Sequence, residues 1–304
     1  MTLDTVIHRG NQDKPAVVFI HGLGMDKDIW VNPSRSRILG GMFPLTSLLN
    51  KKTLLKDPSF ADEQTDPFQT LFDDLVLRDY TTITWSQERP ASPIDSVVTE
   101  LKEVVKVAKK MGKNGIVLIG HSRGGLIGRK YLLKKDKSIR SLITISTPHK
   151  GSSIAKVAGY LSPLVSVINP FVRGGDKGSF SFSIKRIFDF LKSRALKELL
   201  PDSHFFKSLK DGPYDGVYYV SAGGTDPTLF SIYNFSIPDI FEKVIPDNLY
   251  PEEIKKGKGD GLVSAESSKI PWANEHYNFP LNHAQILFDK GVRDKLVEAI
   301  ERNF

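Results

Sequence analysis

Residues 115–125, Gly-Ile-Val-Leu-Ile-Gly-His-Ser-Arg-Gly-Gly, run from a short apolar stretch directly into a helical pattern. Gly120-His121-Ser122-Arg123-Gly124 is therefore a G-x-S-x-G sequence with a strand before it and a helix after it. In that setting the pattern forms a tight, strained turn that lifts a serine hydroxyl above the sheet edge. The glycines allow neighbouring backbone to pass where a Cβ would clash. The turn also leaves the Arg123 N–H free at a helix start, where the helix dipole favours negative charge. Ser122 is the candidate nucleophile and the Arg123 N–H a candidate oxyanion donor. An ordinary exposed Gly-Ser turn, the plain alternative, requires neither the strand nor the helix.

Working outward, four more apolar runs, at 16–20, 81–85, 142–145 and 217–220, have the composition of strands covered on both faces. Helical patterns lie between several of them. Asp66-Pro67-Phe68-Gln69 reads as a capping box that starts a helix near Asp66, with Phe68, Leu71, Phe72 and Leu75 on one face. Ser92-Pro93-Ile94-Asp95 repeats that device ahead of Val97, Val98, Leu101, Val104 and Val105, and Gly112 supplies a left-handed C-cap. Residues 124–135 and the last turns, with Val292, Leu296 and Ile300 at fourfold spacing, complete the set. Alternating strand and helix implies a mostly parallel sheet.

Two segments break the alternation, 31–65 and 151–213. The second has the character of a helical cap inserted in a single domain whose core is 1–150 and 214–304. Ile154, Val157, Ala158 and Leu161 recur at helical spacing, as do Ile184, Ile187, Phe188 and Leu191, with a Gly-rich hinge or loop at 173–178. These helices either pack on the core or form a mobile lid.

Composition removes several classes of function. Of 304 residues 40% are hydrophobic and 25% charged, ordinary for a globular chain, and the absence of cysteine excludes disulfides, thiolate zinc sites and cysteine nucleophiles. The formal charge of +7 is spread over short lysine groups such as Lys109-Lys110 and Lys134-Lys135, which suit solvated helix ends, so no nucleic-acid partner is expected. The start of the chain lacks the apolar core of a secretory signal, which makes a cytoplasmic location the default expectation. No window approaches the roughly 18 uninterrupted apolar residues of a spanning helix.

His21-Gly22, Gly120-His121-Ser122-Arg123-Gly124-Gly125, Thr147-Pro148-His149 with Gly151, and Gly259-Asp260-Gly261-Leu262-Val263 followed by His283 together resemble α/β-hydrolases, and within them bacterial triacylglycerol lipases and related carboxylesterases. The resemblance covers most of the chain outside the two insertions. It implies an α/β-hydrolase fold and a serine esterase acting on a small-molecule ester or acyl lipid, with a true lipase, thioesterase or acyltransferase as alternatives and a noncatalytic hydrolase-like binding protein as the rival from another class. It also implies Asp260 as triad acid, His283 as general base and the Leu23 N–H as second oxyanion donor. The order Ser, Asp, His is the order of that fold. Asp226, soon after the strand at 217–220, is the alternative acid, and as a non-catalytic residue it is a turn former before Pro227. His276 competes with His283 but has the setting of a loop residue, and His149 reads as a structural histidine. Many of those lipases hold calcium with an aspartate close behind the histidine. Asn282-His283-Ala284-Gln285 has none, so no metal and no cofactor are expected. Acyl chain length and oligomeric state stay open.

Overall fold

The structure is a computed structural model that describes residues 3–38, 43–44, 68–89, 91–154, 156, 194–228, 231–232, 235–236 and 250–304. Its centre is a seven-stranded sheet made of β1 (Thr5–His8), β2 (Ala16–Ile20), β3 (Thr82–Trp85), β4 (Ile116–His121), β5 (Ile139–Ile145), β6 (Tyr218–Gly224) and β7 (Glu275–Phe279). Their order across the sheet is β1-β3-β2-β4-β5-β6-β7. Only β1 is antiparallel, pairing Thr5 with Trp85; the remaining pairs are parallel.

The apolar runs become strands because both faces of the sheet are covered. Alternate side chains point to opposite faces. Ala16, Val18, Ile20, Ile116 and Leu118 pack under α2 (Ile94–Ala108) and α3 (Arg123–Leu132), through Val97, Leu101, Val104, Leu126 and Ile127. Val17, Phe19, Val117, Ile119 and Ile143 pack under α1 (Leu71–Leu77) and α4 (Lys290–Asn303), through Leu71, Leu75, Val292, Leu296 and Ile300. Each fully buried large side chain contributes about 1.5–3 kcal/mol relative to exposure. On the second face the Phe19 ring lies 5.0 Å from Trp30 and 5.4 Å from Phe72.

Several local expectations change. Asp66 and Pro67 lie outside the described residues, Phe68–Thr70 is not helical, and α1 begins at Leu71 behind a capping box of Thr70 and Asp73. Thr70 Oγ1 also donates to the Trp30 carbonyl at 2.7 Å, which ties the helix start to the core. Helix α2 has no side-chain cap of its own at Pro93. Its Ile94 N–H donates instead to the Glu198 carboxylate, 3.3 Å from each oxygen. Gly112 is not left-handed; it is required because a Cβ there would strike the Ala16 backbone.

The expected insertions are described only in part. Residues 39–42 and 45–67 are outside the description, and Arg37–Ile38 pairs with Phe43–Pro44. Of the expected cap, 155 and 157–193 fall outside it, and with them nearly all of both apolar helix faces and the hinge at 173–178. The described remainder forms the short helices Arg194–Glu198 and His204–Ser208, whose Ala195, Leu196 and Phe205 join the apolar layer of α2 and α3. No described helix is long and apolar enough to cross a membrane.

Candidate active site

The C-terminal ends of β2, β4, β5 and β6 converge on one edge of the sheet. At the end of β4, Ser122 takes φ 53° and ψ −127°, a conformation that costs a residue with a Cβ roughly 1–3 kcal/mol. The surroundings enforce it. The Ser122 N–H donates to the Ile145 carbonyl of β5 at 2.8 Å, and the Gly125 N–H closes the turn onto the Ser122 carbonyl at 3.1 Å. Gly124 is obligatory, since a Cβ there would strike the Ile20 carbonyl of β2. Ser122 is partly exposed while its neighbours are buried.

Arg123 opens α3, so its N–H has no carbonyl within the helix to bond. Its side chain is fully buried; the guanidinium donates to the Ser92 carbonyl and lies 3.8 Å from Glu198. Leu23 follows β2 on the loop that passes Ser122: a Cβ on Gly22 would stand 3.1 Å from the Ser122 Cβ. His21 orients that loop. Its Nε2 accepts from the Gln87 N–H at 3.0 Å, which puts the ring proton on Nδ1, where it donates to the Gly22 carbonyl at 2.9 Å. The Gly22–Leu23 peptide is planar and trans, so holding its carbonyl aims the Leu23 N–H the opposite way. Burial pushes the His21 pKa down to about 4, which keeps the ring neutral.

Beyond β6, Asp260 is buried with every carboxylate bond defined. Oδ2 meets His283 Nδ1 at 2.9 Å, and Oδ1 accepts the N–H groups of Leu262 at 3.0 Å and Val263 at 2.8 Å. The His283 N–H also donates to the Asp260 carbonyl at 3.0 Å. The His283 ring centroid is 4.8 Å from that of His121, the residue before Ser122. Among the described residues no hydrogen bond joins Ser122 Oγ to the His283 ring; the link between them runs through His121.

Asp226 has no described hydrogen bond to His283; its N–H donates to the Leu281 carbonyl and its Oδ1 accepts from the Thr228 N–H at 3.0 Å, the bond of a polar turn residue. His276 is not a loop residue. It lies in β7 opposite Ser221, with Nδ1 2.8 Å from Ser221 Oγ and Nε2 3.2 Å from Asn278 Oδ1. Strand β7 has no sequence signal of its own, since Glu-His-Tyr-Asn-Phe contains no apolar run. His149 bridges Thr144 Oγ1, 3.0 Å from Nε2, and Arg129, whose Nη1 donates to its carbonyl at 2.9 Å. Arg129 is in turn paired with Asp211 at 2.6 and 2.8 Å. Pairing with Asp211 has no local sequence signal, because 82 residues separate the two. Among the described residues no group of three or more His, Cys, Asp or Glu side chains is gathered as metal ligands would be.

Comparison with known proteins agrees with this architecture. The chain is 31% identical over 167 residues to triacylglycerol lipase 2 of Saccharomyces cerevisiae, an alignment of 47% of this chain and 48% of that one. It thus spans about half the length of that curated relative. Its structure is similar to the mature form of Bacillus licheniformis lipase BlEst2, with TM-score 0.58 and 14% identity over 97% of both chains. It also matches the metagenomic carboxyl esterase MGS0156, with TM-score 0.55 and 13% identity over 97% of this chain and 78% of that one. These likenesses are of fold, and the fold is that of the α/β-hydrolases. Residues 16–173, more than half of the 304-residue chain, match the family described as palmitoyl protein thioesterase, and to that family the chain belongs.

Proposed function

We propose that the chain is a serine hydrolase of carboxylic esters that works through an acyl-enzyme on Ser122. His283 takes the Ser122 proton as the hydroxyl attacks the carbonyl carbon, then returns it to the leaving alcohol. A water activated by the same imidazole releases the acid. Asp260 fixes the tautomer, since a carboxylate on Nδ1 keeps the proton there and leaves Nε2 free to accept. The Leu23 and Arg123 N–H groups receive the oxyanion; a preorganised donor of this kind is worth about 2.7–4 kcal/mol of barrier.

The observation that carries this reading is the Asp260–His283 pair on the sheet edge where the Ser122 turn stands. Its second carboxylate oxygen is held by two backbone amides, so the acid cannot swing away from the ring. Such triads serve oxygen esters and thioesters alike, and the fold does not choose. The name of the family, palmitoyl protein thioesterase, favours acyl thioesters as a second substrate class. The yeast relative's name favours acylglycerols.

An organophosphonate should label Ser122 stoichiometrically and abolish hydrolysis of p-nitrophenyl butyrate. Running p-nitrophenyl esters of rising chain length beside palmitoyl-CoA and emulsified triglyceride separates esterase, thioesterase and lipase. Full activity in Ser122→Ala would overturn the proposal.

A further inference from the structure

His121, the variable residue ahead of the serine in the G-x-S-x-G turn, has no part in the reaction as written above, yet it lies against His283 and beside the Gly22 loop. It is fully buried at the end of β4. Its Nε2 lies 3.0 Å from the His283 carbonyl oxygen, and its ring lies against the His283 ring at an interplanar angle of 50°. A carbonyl can only accept, so the His121 proton is on Nε2 and the ring is the donor. Its Nδ1 is left as a bare, buried lone pair with no partner, on the side where a Cβ on Gly22 would come within 3.2 Å. Burial, with the neighbouring His283 and His21 rings, holds its pKa well below the ordinary imidazole value, so no second positive charge competes when His283 becomes protonated.

Among the described residues the other hydrogen-bond anchors of His283 come from one residue. Its N–H and its Nδ1 both bond to Asp260, and they define where the loop sits relative to the acid. Neither defines where it sits relative to Ser122. The described hydrogen bond between the two sides comes from His121, which is joined to Ser122 by a peptide bond and to the His283 carbonyl through Nε2. No other described hydrogen bond joins the turn at 120–125 to the His283 backbone.

We infer that His121 is a positioning residue: the bond from its Nε2–H to the His283 carbonyl sets the height of the His283 imidazole over the Ser122 hydroxyl. The inference rests on His283 being the general base proposed above. Misplacing a reacting group by about 1 Å can cost on the order of 100-fold in rate with little effect on binding. Loss of this bond should therefore appear in kcat and not in KM.

The test compares three variants of the full chain. Gln carries an amide N–H at about the reach of Nε2, Asn carries one a methylene short, and Leu carries none. His121→Gln should keep kcat for p-nitrophenyl butyrate within about 5-fold of wild type. His121→Asn and His121→Leu should lower it by roughly 30–100-fold, with KM within about 2-fold and slower phosphonate labelling of Ser122 in parallel. Thermal unfolding is measured beside each. If His121→Leu does not fold, the Gln and Asn pair decides, because they differ by one methylene. A Leu variant at wild-type kcat, or a Gln variant as slow as Asn, overturns the inference while the acyl-enzyme reading survives. Wild-type protein that neither hydrolyses ester nor takes up phosphonate overturns that reading and this inference with it.

Discussion

Replacing Asp260 by Asn separates orientation from packing more cleanly than any other change in the site. Asn matches the carboxylate in shape but has one acceptor oxygen where Asp260 uses two. The Leu262 and Val263 N–H groups, at 3.0 and 2.8 Å, can be satisfied only by the side-chain oxygen, so the amide nitrogen must face His283 Nδ1. A donor at that position forces Nδ1 to accept and puts the imidazole proton on Nε2, where it blocks removal of the Ser122 proton. The expected loss is up to about 10⁴ in kcat, or about 5 kcal/mol of barrier, the size known for this change in serine proteases. The fold should survive, since both loop amides keep their acceptor. Asp226→Asn is the control: its described side-chain acceptor bond, from the Thr228 N–H, is available to Asn, and such a change is worth less than about 0.5 kcal/mol. The assay is p-nitrophenyl butyrate hydrolysis with thermal unfolding of both variants. Loss of activity in the Asp226 variant at unchanged stability, with the Asp260 variant active, would refute the assignment.

Asp211→Asn should destabilise the chain by about 3–5 kcal/mol in urea, because it leaves the buried Arg129 guanidinium without its carboxylate. A cost below about 1 kcal/mol would show that this pair does not hold the segment to α3. For His21 the folded pKa, about 4, lies below the unfolded value, so between those two the unfolded chain binds the extra proton. Stability is present above about pH 6.5 and lost as pH falls toward 4, by on the order of 3 kcal/mol from this residue. His21→Gln should flatten that part of the pH dependence, and an unchanged slope in urea titrations would contradict it. Prolonged EDTA treatment should leave hydrolysis intact, and a loss restored by calcium would show a metal site.

The central strands and the elbow were legible because they are local: an apolar run, two glycines and a serine read the same in any context. Strands β1 and β7 were not, since edge strands covered on one side only carry no continuous apolar signature. The start of α2 shows a second limit. Ser92 and Pro93 look like a self-sufficient cap, but the acceptor is Glu198, 104 residues away, and no local pattern announces it. Gly112 illustrates a third, for a glycine demanded by close approach to Ala16 is indistinguishable in sequence from one demanded by a left-handed turn. Asp260 is preferred over Asp226 on the resemblance of Gly259-Asp260-Gly261-Leu262-Val263, whereas its 2.9 Å contact with His283 is a tertiary fact that no local pattern shows.

The backbone of Ser122 has a practical consequence for anyone who wants an inert version of this protein to trap substrate. Alanine removes the hydroxyl but keeps the Cβ, and with it the discomfort of φ 53°. Glycine removes both. Ser122→Gly should therefore melt at a higher temperature than either Ser122→Ala or the wild type, by the equivalent of about 1–3 kcal/mol less the extra chain entropy that glycine brings to the unfolded state. On the acyl-enzyme reading proposed above, the working protein is a compromise: it tolerates a weaker fold at one residue so that a hydroxyl can stand where that chemistry needs it.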